Sequence, residues 1–562
     1  MIKIALLTVF VSLSSVCAFS QQKLLSADNI ADSVQAMRNQ ARPLWRNPGA
    51  GKSQLDQSIN ILTSALNYLN NPAFKASTQG NFYLKFRKGD TYLDLLTAYV
   101  RNRQYAEATQ VLNQLYDINS PWYTLIAKDS VFTEFRKIPQ VVSLIDQFKL
   151  RASMWQGKAI SSKYQVDLSE DEKIAGLSSL WMNAKYNFVY LDKLTTDWNK
   201  TYLAFLPQVR ATTSTADYYK VLQRFYASLN DGHTNVFFPA ELRKQFNSRP
   251  PIRTELIEGR VLITAVNNDS LLKAGIVPGL EIMSINDIDV HTYAKNNIEP
   301  YQSASTPQDL EIRKYSYGLL NGAEKEPVKL YLRNSKNKQW SQLVNRSGYT
   351  NNKVQKSVIF KAIDGYGYLQ LNDFDDESIV KQFDSLYQEI AKTKGLVIDI
   401  RNNGGGDSWI GYRILSTLTS KGTSTSTSRI PSYNPRFGKE WYFDNPGSIE
   451  PDQKRLYQMP VVLLIGARTY SAAEDFAVAF DCMQRGELIG QPTGGSTGQP
   501  LSFNLPGGGW ARVCSKEDTY PDGKKFVGVG VQPNVLVKTT ISDVLKGRDA
   551  TLEKALEILR KR

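Results

Sequence analysis

Ser471 stands where a strongly apolar run, Val461 to Ile465, gives way to small and apolar residues at helical spacing through Phe480. The segment Gly466 to Phe480, GARTYSAAEDFAVAF, reads as strand, tight turn and helix, with Ser471 at the helix start. A serine there has free backbone N–H groups and the positive end of the helix dipole beside it, and both favour a developing oxyanion. That is the setting of a nucleophilic serine in acyl transfer. The same residues carry a second meaning. Ser471-Ala472-Ala473-Glu474 is also a capping box, in which the serine accepts from the backbone and the glutamate reaches back. Taken alone, the segment favours the cap.

Two further segments shift that balance. Gly395 to Gly406, GLVIDIRNNGGG, reads as a buried strand, a polar turn and glycines where backbone can approach a ligand closely. Leu229 to Pro239, LNDGHTNVFFP, holds His233, one of 2 histidines in 562 residues. Together DGHT, D-x-R-x-N-G-G-G and T-Y-S-A-A-E-D-F resemble the tail-specific (C-terminal processing) serine peptidases, in the branch that contains the tricorn protease core. The resemblance runs from about residue 150 to about residue 540, with the motifs in the family's order.

The resemblance implies a serine-type peptidase acting on polypeptides, with Ser471 as nucleophile and His233 as general base. An unperturbed imidazole titrates near pH 6.5 and is mostly neutral at pH 7. The expected oxyanion hole is the backbone N–H of Ala472 with one from Gly404 or Gly405. Asp399 and Arg401 are expected to hold the turn together. The sequence also departs from the family. The processing-protease branch pairs serine with a lysine in a T-F-G-K-G-like motif, but here Ser496 stands at the lysine place, in Thr493-Gly494-Gly495-Ser496-Thr497-Gly498. The tricorn branch adds a serine before the histidine, where Gly232 stands, and a glutamate that aligns with Val527. Asn534 replaces an aspartate of that last motif. The group that orients the base is therefore missing from its expected position, and Asp231, Asp518 and Asp522 are the candidates to replace it. The rival reading is a catalytically weak or inactive homologue that binds peptides or other ligands as a scaffold.

Other chemistries find no support. The two histidines are far apart and no Cys-His cluster supplies metal ligands, so neither metal nor cofactor is expected. The glycine-rich runs lack a following Lys-Ser/Thr, which argues against a nucleotide P-loop. The formal charge of +14 suits acidic partners, but Lys and Arg are scattered and no nucleic-acid motif is present. Substrate-contacting residues are not legible.

The elements that must position these groups fall into a multidomain α+β order. Residues 1–20 read as a secretory signal, with one Lys, an apolar run and Ala18 and Ser20 at minus three and minus one of the cut. Export to the periplasm or the extracellular space is expected, without stable membrane insertion after signal removal. Cys482 and Cys514 then remain, either paired or as two free thiols. Residues 21–150 read as a helical tetratricopeptide-like domain, with Tyr92, Leu95, Leu96, Tyr99, Tyr105, Ala108, Leu112 and Leu115 near repeat spacing; a plain helical bundle fits nearly as well. Residues 151–242 read as a helical linker domain carrying His233. Residues 243–345 turn to short β runs, and Gly259 to Val290 resembles a PDZ module, with Leu280 where an acidic or amide residue is common. Such modules take a peptide as an added strand and capture its C-terminal carboxylate; a purely structural insert is the alternative. His291 in this part reads as a surface residue. Residues 346–562 alternate strands and helices, an α/β serine protease core of the crotonase/ClpP-like kind. Lys421 to Gly438, rich in Ser, Thr, Pro and Gly, reads as a mobile loop, either bordering the cleft or a bystander.

Overall fold

The computed structural model describes residues 27–74, 82–118, 120, 122–155, 160–436, 438–444 and 446–562. The expected signal segment, 1–20, lies outside the described residues. The protein divides into two compact units, Met1–Gln156 and Gly157–Arg562.

The first unit is helical. Helices Ala27–Arg46, Lys52–Leu69, Phe82–Arg101, Tyr105–Asp117 and Pro139–Trp155 carry its apolar stripes inward. Leu95, Leu96, Ala108, Leu112 and Leu115 are all buried on the facing sides of the third and fourth of these. Arg38 is buried with them, and its charge is met by Asp90 at 2.9 Å and Asp94 at 2.8 Å.

The second unit is built on a six-stranded sheet in the order 535–536, 488–490, 461–465, 396–399, 366–371, 358–363. Its strands run parallel except for the terminal hairpin of 358–363 with 366–371. Apolar runs such as Val461–Ile465 follow from burial on both faces. Val461, Leu463 and Ile465 pack on one side with Phe476 and Phe480. Val462 and Leu464 pack on the other with Ala555, Leu556 and Leu559 of helix Ala550–Arg560. Helix Ala472–Met483 is buried almost throughout, which is why it is rich in Ala, Val and Phe, although its first turn also buries Glu474 and Asp475.

Helices Glu170–Asn187, Trp198–Arg210 and Thr215–Ala227 share the core of the parallel sheet. The backbone then leaves the last of them through the turn holding His233 and enters strand Asn235–Phe237. That strand pairs antiparallel with Trp510–Cys514, so a distant segment fixes the histidine turn. Strands 252–257, 260–266, 281–285, 328–333 and 339–344 form a separate antiparallel sheet with its own apolar cluster. His291 is exposed there, with its ring Nδ1 2.9 Å from the Tyr315 hydroxyl. Cys482 and Cys514 are both free, the second buried.

One expectation is corrected. Lys421 to Gly438 is not a loop: Thr427–Asn434 pairs with Gly438–Asp444 as a hairpin, and also with Glu517–Thr519. Arg429 ties it to the buried carboxylate of Glu517. Turn-forming composition is outweighed by cross-strand pairing.

Candidate active site

The strand Val461–Ile465 leads into a turn that places Ser471 at the head of helix Ala472–Met483. Ser471 has φ 55° and ψ −126° and makes no capping hydrogen bond with its side chain. A non-glycine residue held in that region costs about 1–3 kcal/mol, a strain tolerated where the surrounding structure enforces it. The capping-box reading therefore fails. Its second half, Glu474, points elsewhere: it is fully buried and accepts from the Gly495 and Ser496 N–H groups, each at 2.8 Å, and from the Thr493 hydroxyl. Burial pushes its carboxyl up to about 8, against those three donors. Glu474 thus anchors the loop 493–496 and does not cap its own helix.

Ser471 and His233 meet, although 238 positions separate them: His233 Nε2 lies 3.1 Å from Ser471 Oγ. The other ring nitrogen, Nδ1, lies 2.8 Å from Ser496 Oγ. The imidazole is therefore held between two hydroxyls. When Nδ1 carries the proton it donates to Ser496 and leaves Nε2 free to accept from Ser471. The group that faces Nδ1 is thus a hydroxyl and none of the three aspartates named as candidates. Asp231 is buried but serves the backbone, accepting from the His233 N–H at 3.1 Å and from the Thr234 hydroxyl at 2.6 Å. Asp518 pairs with Lys516 at 2.8 Å, and Asp522 accepts from the Lys524 N–H at 2.9 Å. Ser496 is also the residue at the family's lysine place, so the position noted as a loss holds the hydroxyl that faces His233 Nδ1.

Burial, with the nearby charges of Arg512, Arg313 and Lys516 adding to it, holds the His233 imidazole well below its ordinary range. Lys516 lines the same cleft as Ser471. Burial opposes its charge, but Asp518 and Asp475 outweigh that and keep the ammonium above its ordinary pKa. It is therefore a cation and no candidate base.

Tyr470 roofs the histidine, its ring stacked at 5.1 Å and 16° from parallel. Arg313 donates to the Tyr470 oxygen at 3.0 Å and to the Gly232 carbonyl at 3.1 Å, and its Nε pairs with Asp309 at 2.8 Å. Arg313 opens a π-helical turn, Arg313–Gly318, that follows helix Pro307–Ile312. None of these contacts has a signal in the sequence beyond the Tyr-Ser pair. They do explain one departure from the family. A Cβ on Gly232 would sit 1.7 Å from the Tyr470 oxygen, so the space for a serine side chain is taken by a phenol. Gly232→Ala is expected to cost about 1–3 kcal/mol by overpacking and to abolish most activity. Adding Tyr470→Phe should recover part of the stability, as melting temperatures of the two single variants and the double variant would show.

The Ala472 and Gly404 N–H groups make no hydrogen bond within the described residues, and Ala472 lines a cleft of about 470 Å³ with Ser471, Trp409, Gly498 and Lys516. Gly405 is different. It has φ 99°, its Cα faces the Ser471–Ala472 backbone, and its N–H donates to Asn403 Oδ1 at 2.8 Å. Of the two expected glycine donors, that amide is already engaged. Asp399 and Arg401 do hold the turn: Arg401 bridges Asp399 at 2.6 Å and Asp549 at 2.7 Å. Among the described residues no group of His, Cys, Asp or Glu is placed to hold a metal ion.

Residues 365–537 match the profile of peptidase family S41. A Bartonella bacilliformis protein named carboxy-terminal-processing protease is 26% identical over 206 residues, covering 35% of this chain and 44% of that protein. A Synechocystis protein named carboxyl-terminal-processing protease is 22% identical over 297 residues, covering 51% of this chain and 62% of that protein. The alignments thus span about half the length of these relatives. Among solved structures, mature CPAF complexed with lactacystin superposes with a TM-score of 0.55 at 15% identity, over 70% of this chain and 97% of that one, which is a likeness of fold. Residues 365–537 of this protein are therefore similar to peptidase family S41, and its relatives by sequence bear the name of carboxy-terminal-processing proteases.

Proposed function

We propose that this protein is a serine endopeptidase acting on polypeptides, with Ser471 as nucleophile and His233 as general base. The observation that carries the reading is the approach of His233 Nε2 to 3.1 Å from a serine hydroxyl held at a strained helix start. In the reaction, Ser471 Oγ attacks the scissile carbonyl carbon and passes its proton to Nε2. The Ala472 N–H, with Gly404 from the glycine turn, donates to the oxyanion that forms. The imidazolium then protonates the leaving amine. Water repeats the sequence on the acyl-enzyme, and Nδ1–H keeps its bond to Ser496 throughout. The names borne by the relatives favour the carboxy-terminal ends of polypeptides as the region of attack. The sheet of residues 252–344 is the part that resembles a tail-capturing PDZ module.

A second reading has its own support. A hydroxyl cannot stabilise an imidazolium as a carboxylate does, and Arg512, Arg313 and Lys516 add to the penalty. Both features favour a slow enzyme or a binding scaffold. Digestion of an unstructured polypeptide and a peptide library, followed by mass spectrometry, separates the two. The enzyme reading predicts cleavage that stops in Ser471→Ala; intact peptides at every pH support the scaffold. The pH profile gives a further check. The depressed imidazole stays neutral below pH 6.5, so the acid limb of kcat/KM should fall below that value. By linkage, a depressed histidine contributes stability above its unfolded pKa that is lost as pH falls through the folded one. Acid unfolding should therefore weaken in His233→Gln. An acid limb at or above pH 7 would contradict the burial argument.

A further inference from the structure

A cavity of about 590 Å³ opens beside the turn that carries Ser471, lined by Arg249, Arg253, Arg346 and Arg468 and by no Asp or Glu. Two of the arginines are committed to backbone. Arg249 donates to the Ser316, Tyr317 and Ile252 carbonyls, and Arg346 to those of Leu320 and Glu326. The other two converge. Arg253 Nη1 donates to Asn402 Oδ1 at 3.1 Å, and Arg468 Nη1 reaches the same oxygen at 3.5 Å. Arg468 is 8% exposed, and its Nε and Nη2 are buried without a hydrogen-bond partner. One carboxylate approaches, Glu255 Oε1 at 3.2 Å from Arg468 Nη2, in a geometry that makes no hydrogen bond. Burying a guanidinium without its hydrogen bonds costs several kcal/mol unless something offsets it. Glu255 at 3.2 Å and the Tyr317 ring, its centre 5.9 Å from the guanidinium carbon, offset part of the charge, while the hydrogen bonds of Nε and Nη2 stay unmade. Burial and mutual repulsion also lower the pKa of Arg249 and Arg253. The neighbouring cavity of about 820 Å³ shares Arg253, Asn402 and Arg468 but adds Glu255, Glu258, Glu311 and Asp549, so the acidic groups line the second cavity and the charged residues lining the first are all arginines.

We propose that this cavity binds acidic side chains, Asp or Glu, of a polypeptide ligand through the forked donors of Arg253 and Arg468. A planar carboxylate matches a guanidinium in two parallel hydrogen bonds, and the walls of Pro250, Pro251, Ile252 and Tyr317 suit the peptide around it. Arg468 and Ser471 belong to one turn, as Asn402 and Gly404 belong to another. An acidic residue held here would therefore set which bond of the ligand lies at Ser471. That consequence rests on the peptidase reading, whereas the binding itself does not.

Titration calorimetry on full-length Ser471→Ala protein tests the binding without turnover. The probes are C-terminally amidated peptides with Asp and Glu, their Asn and Gln counterparts, and a free-acid peptide without acidic side chains. The acidic amidated peptides should bind about tenfold tighter or more than their amide counterparts. The advantage should shrink with salt and vanish in Arg253→Gln and in Arg468→Gln. Arg253 is the more exposed of the two, so its variant keeps the test valid if Arg468→Gln unfolds. Equal affinity of acidic and amide peptides would overturn the proposal. So would a preference that survives in a folded Arg253→Gln, or one that only the free-acid terminus produces. Because Ser471→Ala is the protein used, failure here leaves the peptidase reading untouched, and absence of cleavage in the wild type leaves the binding result standing.

Discussion

Ser471→Ala and His233→Ala are each expected to lower peptidase turnover by on the order of 10⁴-fold or more, and the double variant by no more than either alone. The reason is geometric. Among the described residues His233 is the titratable group within hydrogen-bond distance of the hydroxyl; Lys516 in the same cleft is paired with Asp518, and Asp475 accepts from Ser408 and Ser426. Without the serine, the histidine has no proton to take. Groups that act as a unit are removed together by the first substitution. Ser471→Ala should stay folded, because Ser471 makes no capping bond, and the fold of His233→Ala is checked by its melting temperature, since that ring is buried against Tyr470. Ser471→Gly, which suits φ 55°, should melt above the wild type while being as inactive. Additive losses in the double variant, measured with one peptide substrate, would mean that the two residues do not work on the same proton.

Ser496→Ala is expected to lower kcat by about 10- to 100-fold with KM little changed, the equivalent of one buried hydrogen bond of about 1–3 kcal/mol. It removes the partner of Nδ1, and the ring is then free to take the wrong tautomer or turn away from Ser471. A structural role alone would alter stability and leave the pH profile in place. Ser496→Asp separates these possibilities. A carboxylate there stabilises the imidazolium, so the acid limb of the profile should move to higher pH. Val527→Glu should give no gain, since the ring nitrogen that such a carboxylate would serve is already bonded to Ser496. If Ser496→Asp stays folded with an unmoved acid limb, Ser496 does not orient the base.

The meeting of His233 and Ser471 is legible in the sequence because one of 2 histidines sits in a recognisable turn and the serine follows a wholly apolar strand. Their supports are not legible. Glu474 spells a capping box, yet a buried carboxylate goes where donors are, and those lie on the loop 493–496, which the sequence does not tie to the helix. Ser496 is visible only as a lysine that is absent, because spacing says nothing of which hydroxyl faces which ring. The Tyr470–Arg313–Asp309 cluster comes from segments some 160 positions apart, and no local pattern links them. The same holds for Arg253 and Arg468, which are ordinary surface charges in the sequence and converge only when the turns at 402 and 468 close. The hairpin at 427–444 is hidden by turn-forming composition, which describes local freedom and not pairing with 517–519.

The central claim is that Ser471 is an activated nucleophile with His233 as its base. The most direct test is labelling of the full-length protein by a fluorophosphonate probe, with the modified residue located by mass spectrometry. A single covalent adduct is expected on Ser471, forming readily at neutral pH, slowing in Ser496→Ala and disappearing in His233→Ala. An unlabelled Ser471 across the pH range in folded protein, or labelling that persists at an unchanged rate in His233→Ala, would contradict it.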